Sequence, residues 1–233
     1  MTAATETPVY PHTNPIWRVL RLVFAGLGIL ALVWIPLRNI DSETFSTTNY
    51  FSYFTILSNV LTVIVFLVGA FADPQSRNWQ LFRGATTVYM VITGIIYAVL
   101  LANVDVMLQD KWINVLLHEI LPLVIFLDWL INPPRMRITD RQSMTWLTFP
   151  VVYGVYTLVR GPIVDWYPYP FIDPRVQGYL QMSIGLVVLL LAMVLMSFAV
   201  NAAGRLAQRW RYGGTERRMA AEGIATGESE EMA

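Results

Sequence analysis

The chain has 233 residues, 55% hydrophobic and only 14% charged, with a formal net charge of zero. Soluble domains carry about a quarter charged residues, so the composition marks an integral membrane protein and gives no footing for nucleic-acid binding. The absence of cysteine excludes disulfides, thiolate catalysis and thiolate metal sites, and with only His12 and His118 no common zinc centre, and no other cofactor, is expected.

In chain order, residues 1–16 are mostly polar and lack a basic n-region, and no small-x-small cleavage site follows. The first apolar run therefore reads as a retained helix. A bilayer span takes roughly 20 apolar residues at 1.5 Å rise each. Six segments qualify, at about 17–36, 50–72, 84–104, 112–132, 143–160 and 179–201, the fifth being short and carrying Pro150. Ten-residue alternation is absent, which argues against a barrel, and no internal repeat is visible. The expected fold is all-α and polytopic: a six-helix transmembrane domain at 17–201 between an N-terminal segment (1–16) and a tail (202–233).

Basic residues set the expected orientation. With the N-terminus inside, Arg18, Arg21, Arg77, Arg83, Arg135, Arg137, Arg141, Arg205, Arg209, Arg211, Arg217 and Arg218 are cytoplasmic. Arg38, Lys111, Arg160 and Arg175 remain outside, together with Asp41, Glu43, Asp105, Asp110, Asp165 and Asp173. Both termini are thus expected in the cytoplasm. The tail opens as a basic helix, "GRLAQRWRYGG", suited to anionic headgroups, and its Gly/Glu/Ala-rich end is expected to be disordered.

Orientation converts position into depth. The second segment opens with "NYFSYFTILSN", in which Ser52, Thr55, Asn59 and then Thr62 recur at spacings of three and four, forming one polar stripe. Such a stripe faces helices or a cavity, because lipid leaves its groups unpaired. Entry near Tyr50 puts Thr55 about 8 Å below the helix start. Thr86, Tyr89, Thr93 and Tyr97 give the third segment a second stripe.

The fourth segment, "NVLLHEILPLVIFLDWL", carries His118 about 9 Å below Trp112, matching the depth of Thr55. Pro122 offers no N–H to the His118 carbonyl, so a kink is expected. Asn114, one turn earlier, is placed to bond the ring and set its tautomer. Glu119 points about 100° away round the helix, and Asp128 lies about 15 Å deeper. Asp128 reads as a headgroup contact or as the partner of an arginine in the next loop.

Tyr153, Tyr156, Thr157 and Arg160 give the fifth segment a polar surface towards the outer side. Arg160 either snorkels or meets a carboxylate or developing oxyanion. The loop "DWYPYPFIDP" (165–174) reads as an aromatic interfacial belt, as a rigid lid over a pocket, or as both.

No phosphate-binding glycine motif, metal-ligand pair or serine elbow is present. Membrane-helix threonines usually bond back to a carbonyl or join helices, and an interface histidine can simply donate to the backbone. The one chemistry on offer is a hydroxyl activated by an imidazole. His118 would take the proton of Thr55 as it attacks an ester carbonyl, then return it to the leaving alcohol. Asn59, Asn114, Arg160, Ser58 and Tyr153 are the orienting, substrate-binding or oxyanion candidates.

"NYFSYFTILSN", "LLHEILPLVIFLDWLI" and "YGVYTLVRGPIVDWYPYPFIDP" together resemble the bacterial six-helix membrane proteins of the Pr6Pr family, over about residues 15 to 201. That family is distantly similar to the eukaryotic androgen-induced-gene type, threonine hydrolases of fatty acid esters of hydroxy fatty acids. The resemblance implies a nucleophilic threonine in "YFTILSN", Thr55, and a histidine in "LLHEILP", His118. The stretch between the two is shorter than in the eukaryotic proteins, and the surroundings of Arg160 look specific to the bacterial family.

The expectation is a lipid-ester hydrolase of the bacterial plasma membrane, with membrane lipids and a lipid ester as its partners. The alternative is a non-enzymatic bundle that binds or moves a small amphiphile, although a transporter would often show a repeat and helices broken at the midplane. A purely structural subunit fits several convergent polar stripes worst.

Overall fold

The computed structural model describes residues 12–101 and 110–231; Asp105, counted above among the acidic loop residues, lies outside them. Among the described residues there is no strand. Six helices are long and apolar enough to cross a membrane: α1 (Pro15–Arg38), α2 (Phe54–Phe71), α3 (Arg77–Val99), α4 (Lys111–Ile131), α5 (Asp140–Val164) and α6, whose apolar part is Pro174–Gly213. This is the architecture of a six-span integral membrane protein. We call the end at which α1 begins the terminal face and the other the far face.

Local signals set the helix ends. Asn14 caps α1, its side chain accepting from the Ile16 N–H at 2.9 Å, with Pro15 in the first turn. Ser76 caps α3. Thr139 and Gln142 form a reciprocal capping box that starts α5 three residues earlier than hydropathy indicates. The second helix begins later than expected. Thr47–Tyr50 is a separate turn of helix, and α2 starts only at Phe54, which leaves Ser52 off the polar stripe. At α6, Gly178 (φ 78°, ψ 159°) takes the left-handed conformation that breaks Pro174–Gln177 from the main helix. The helical backbone then runs on to Glu231, through the basic segment and the end that composition marks as disordered. Ala, Glu, Arg and Met there are good helix formers.

The prolines of α5 and α4 are accommodated in different ways. Pro150 cannot bond the Trp146 carbonyl, and the Tyr89 hydroxyl of α3 donates to that carbonyl at 2.7 Å instead. The residues just before, Met144–Leu147, tighten into a 3₁₀ turn. Ahead of Pro122 the helix widens into a π turn, Leu116–Ile120, at the expected irregularity. The freed His118 carbonyl faces Gly94 of α3, where a Cβ would come to 3.2 Å from it and to 3.2 Å from the Pro122 ring. A glycine at that crossing is what lets α3 and α4 approach.

α2, α3 and α4 form the centre, with α1 against α2 and α6 against α3. α5 meets α3 and α6 through its first turns at the terminal face; beyond Leu147 the backbones of α5 and α6 barely approach one another. That divergence opens the cavity described next.

Candidate active site

α2 begins without a side-chain cap of its own, so its first amides need outside partners. Two tyrosines supply them. The Phe54 N–H donates to Tyr153 Oη (3.1 Å), and the Thr55 N–H donates to Tyr169 Oη (3.2 Å). Tyr153 Oη in turn donates to the Ser52 carbonyl at 2.9 Å. Tyr169 Oη also lies 3.4 Å from Thr55 Oγ1. Its ring is held by stacking on Phe171 (centroids 5.1 Å apart) and by an edge contact with Tyr53. Burial pushes the Tyr169 phenol up from its ordinary pKa, although its hydrogen bonds to Thr55 oppose that, so it stays protonated at neutral pH.

His118 is buried in the π turn of α4. Its Nδ1 lies 3.1 Å from the backbone carbonyl of Asn114. A carbonyl only accepts, so Nδ1 carries the hydrogen and the free lone pair of the neutral ring is on Nε2. The Asn114 side chain, expected to orient the ring, instead donates to Tyr97 Oη. Tyr97 in turn stacks on the imidazole, with centroids 4.5 Å apart. Asn114 thus acts on His118 through its carbonyl and through Tyr97.

Thr55 and His118 line the same cavity, of about 330 Å³. Its other polar groups come from Thr93, Thr157, Tyr153 and Tyr169; the rest of the wall is apolar. Among the described residues the Thr93 hydroxyl, buried there, has no hydrogen-bond partner. Val151 and Val155 of α5 and Leu190 of α6 line the wall and are also exposed on the bundle surface. The cavity therefore opens sideways between α5 and α6. Among the described residues Thr55 Oγ1 hydrogen-bonds Tyr169, not His118.

The supporting candidates separate. Tyr153 lines the cavity. Asn59 does not; it is fully buried, and its Nδ2 donates to the Thr55 carbonyl (2.9 Å) and the Leu117 carbonyl (3.2 Å), tying α2 to the π turn. Ser58 is fully buried between helices, away from the cavity. Arg160 is taken elsewhere. It donates to Asn49 Oδ1 at 2.6 Å and lies over the Trp166 ring, beside Ser52 and Tyr156, and it does not line the cavity that holds Thr55. Glu119 faces out of the bundle.

Asp128 meets neither headgroups nor an arginine of the next loop. Its two oxygens accept from Arg21 of α1 (2.9 and 3.0 Å), and one also accepts from Arg83 of α3 (3.2 Å). The loop arginine, Arg135, goes to Asp73 at 2.7 Å. Asp73 also accepts from the Thr13 N–H and hydroxyl. Burial pushes the Asp73 carboxyl up, but the bonds from Arg135 and Thr13 outweigh it and hold the carboxyl at about 2. This cluster lies at the terminal face. Hydropathy hid it, because Arg21 and Arg83 sit inside or beside apolar runs. Among the described residues no three metal-ligating side chains come together.

Comparison of the chain with protein-family models, with curated proteins and with solved structures gives no match.

Proposed function

We propose that this protein is an intramembrane hydrolase of long-chain lipid esters, with Thr55 as nucleophile and His118 as base. The observation that carries the reading is the shared cavity: a hydroxyl at a helix start and an imidazole with its Nε2 lone pair free line one apolar chamber that opens towards lipid. His118 Nε2 takes the Thr55 proton while Oγ1 bonds the ester carbon and the carbonyl pair moves to oxygen. Collapse breaks the bond to the alkoxy oxygen, which takes the proton from His118. Water, activated by His118, then attacks the acyl-threonine; the carboxylic acid leaves and Oγ1 recovers its proton. With the positive-inside orientation, the site lies near the outer boundary of a bacterial plasma membrane, at the depth of lipid ester groups, and water enters from that side. The motif likeness noted above points the same way.

Purified protein is expected to hydrolyse fatty acid esters of hydroxy fatty acids or a simple long-chain ester. Thr55→Ala should abolish turnover, and His118→Ala should lower it by about 10²–10⁴-fold. Full activity in Thr55→Ala would overturn the assignment. A second reading, an amphiphile-binding bundle without chemistry, is favoured by one observation, the engagement of Thr55 Oγ1 with Tyr169 rather than His118. Tight binding of a long-chain ester with no turnover would decide for it.

A further inference from the structure

The loop joining α5 to α6 places a phenol on the start of α2, and the contact is specific. Tyr169 Oη accepts from the Thr55 N–H and stands 3.4 Å from Thr55 Oγ1. The Thr55 amide is an orphan donor of the first turn, at the positive end of an 18-residue helix. A second observation points to a polar ligand atom here: the Thr93 hydroxyl, 5% exposed, lines the same cavity with its oxygen unpartnered among the described residues.

We propose that Tyr169 and the Thr55 N–H form a carbonyl-oxygen site, in which Tyr169 donates the hydrogen bond that stabilises the oxyanion of the tetrahedral intermediate. The inference rests on the hydrolase reading and adds a catalytic residue to it. In the resting state the phenol oxygen stands where a carbonyl oxygen would meet the Thr55 N–H. When the ester carbonyl arrives, that oxygen takes over the amide. Tyr169 turns from acceptor to donor, moving by about one hydrogen-bond length, roughly 2.7 Å. The geometry demands little else. Once Oγ1 has bonded the carbonyl carbon, the oxyanion is two bonds from Oγ1, within reach of a hydroxyl already beside it. A nucleophile whose own backbone N–H is one oxyanion donor is an arrangement known from serine hydrolases. The raised phenol pKa keeps the donor proton in place. The ring packs against Phe171 and Tyr53, which guide that short shift, and the three prolines of the loop limit its other movements.

Tyr169→Phe keeps the ring and removes only the hydroxyl. It should lower kcat by about 10²–10³-fold, as loss of one oxyanion donor does, with KM little changed. A merely structural role is separated by two ligands. A long-chain trifluoromethyl ketone, which adds the Thr55 oxygen to give an oxyanion, should bind Tyr169→Phe more weakly by a comparable factor; the matching ether, lacking the carbonyl, should bind as before. Unchanged kcat, or equal loss of both ligands, overturns the proposal. If the wild type prefers the ketone but turns over no ester, the carbonyl site stands and the hydrolase reading falls. If it does not distinguish ketone from ether, the carbonyl site falls. Should Tyr169→Phe not fold, fluorotyrosine at 169 reads the same contact. Its fluorine resonance should move with the ketone and not with the ether, and no movement with the ketone counts against the site.

Discussion

The two ends of this bundle hold polar groups in opposite conditions. At the terminal face Arg21, Arg83, Arg135, Asp73 and Asp128 are all buried, and each has an opposite charge within hydrogen-bond reach. Towards the far face the buried polar groups are mostly uncharged, stand among apolar walls and are incompletely paired, as with the Thr93 hydroxyl. A fully paired cluster fastens elements together: this one joins α1, α3, α4 and the loops carrying Asp73 and Arg135. A partly paired set with space beside it is where a ligand can complete the pairing. The first region should therefore govern stability and the second turnover.

The strongest way to break that division is to exchange the readouts. Asp128→Ala removes the carboxylate between Arg21 and Arg83, leaving the buried Arg83 guanidinium without its counter-ion and Arg21 with only the longer contact to Asp73 at 3.8 Å. Breaking a buried pair this way costs about 3–5 kcal/mol, which thermal unfolding in detergent would register as a large fall in Tm. Thr55→Ala should remove turnover while shifting stability by less than about 1 kcal/mol, since among the described residues its hydroxyl makes one long hydrogen bond. If Asp128→Ala unfolded at the wild-type temperature, the cluster would not be the fastening.

Acid gives a milder test of the same cluster. The Asp73 carboxyl is held at about 2, below its ordinary 3.8. A depressed carboxylate contributes stability that is fully present above the unfolded-state pKa and is lost as pH falls through the folded one. Between about pH 4 and pH 2 the wild type should lose stability faster than Asp73→Asn, so the gap between them narrows. A gap that stayed constant across that window would show that Asp73 gains nothing from Arg135 and Thr13.

How much of this was legible in the chain follows from what each signal measures. The six spans were legible because a run of about 20 apolar residues has few other uses. The start of α3 was not. Gln80 and Arg83 count as polar in a hydropathy sum, yet they are buried against one another and against Asp128. Helical rise put Asp128 far from His118, but rise carries no lateral information, so the identity of its partners was out of reach. The same limit applied to Arg160: its depth was compatible with the pocket, and Asn49 and Trp166 took it. Rise placed Thr55 and His118 at one level, whereas their common cavity depends on α5 and α6 diverging. Tyr169 was hidden among four aromatic residues of one loop, and no periodicity singles it out there.

Asn59 gives the smallest expected effect on turnover and the sharpest view of how the site is held. Its amide bridges the carbonyl of Thr55 to that of Leu117, the neighbour of His118, so one side chain ties the backbones of both proposed catalytic residues. Asn59→Leu loses two donated bonds but also removes a buried amide oxygen that has no partner among the described residues. These terms nearly cancel, leaving a net cost of about 1 kcal/mol. Turnover should respond more strongly, because the π turn is no longer held to the start of α2 and the Thr55–His118 separation loosens. The expected result is a fall in kcat of about 10-fold or more, with Tm nearly unchanged, as misplacement of reacting groups produces. An unchanged kcat would mean that the two helices hold their register without Asn59, and that packing at Gly94 alone positions His118.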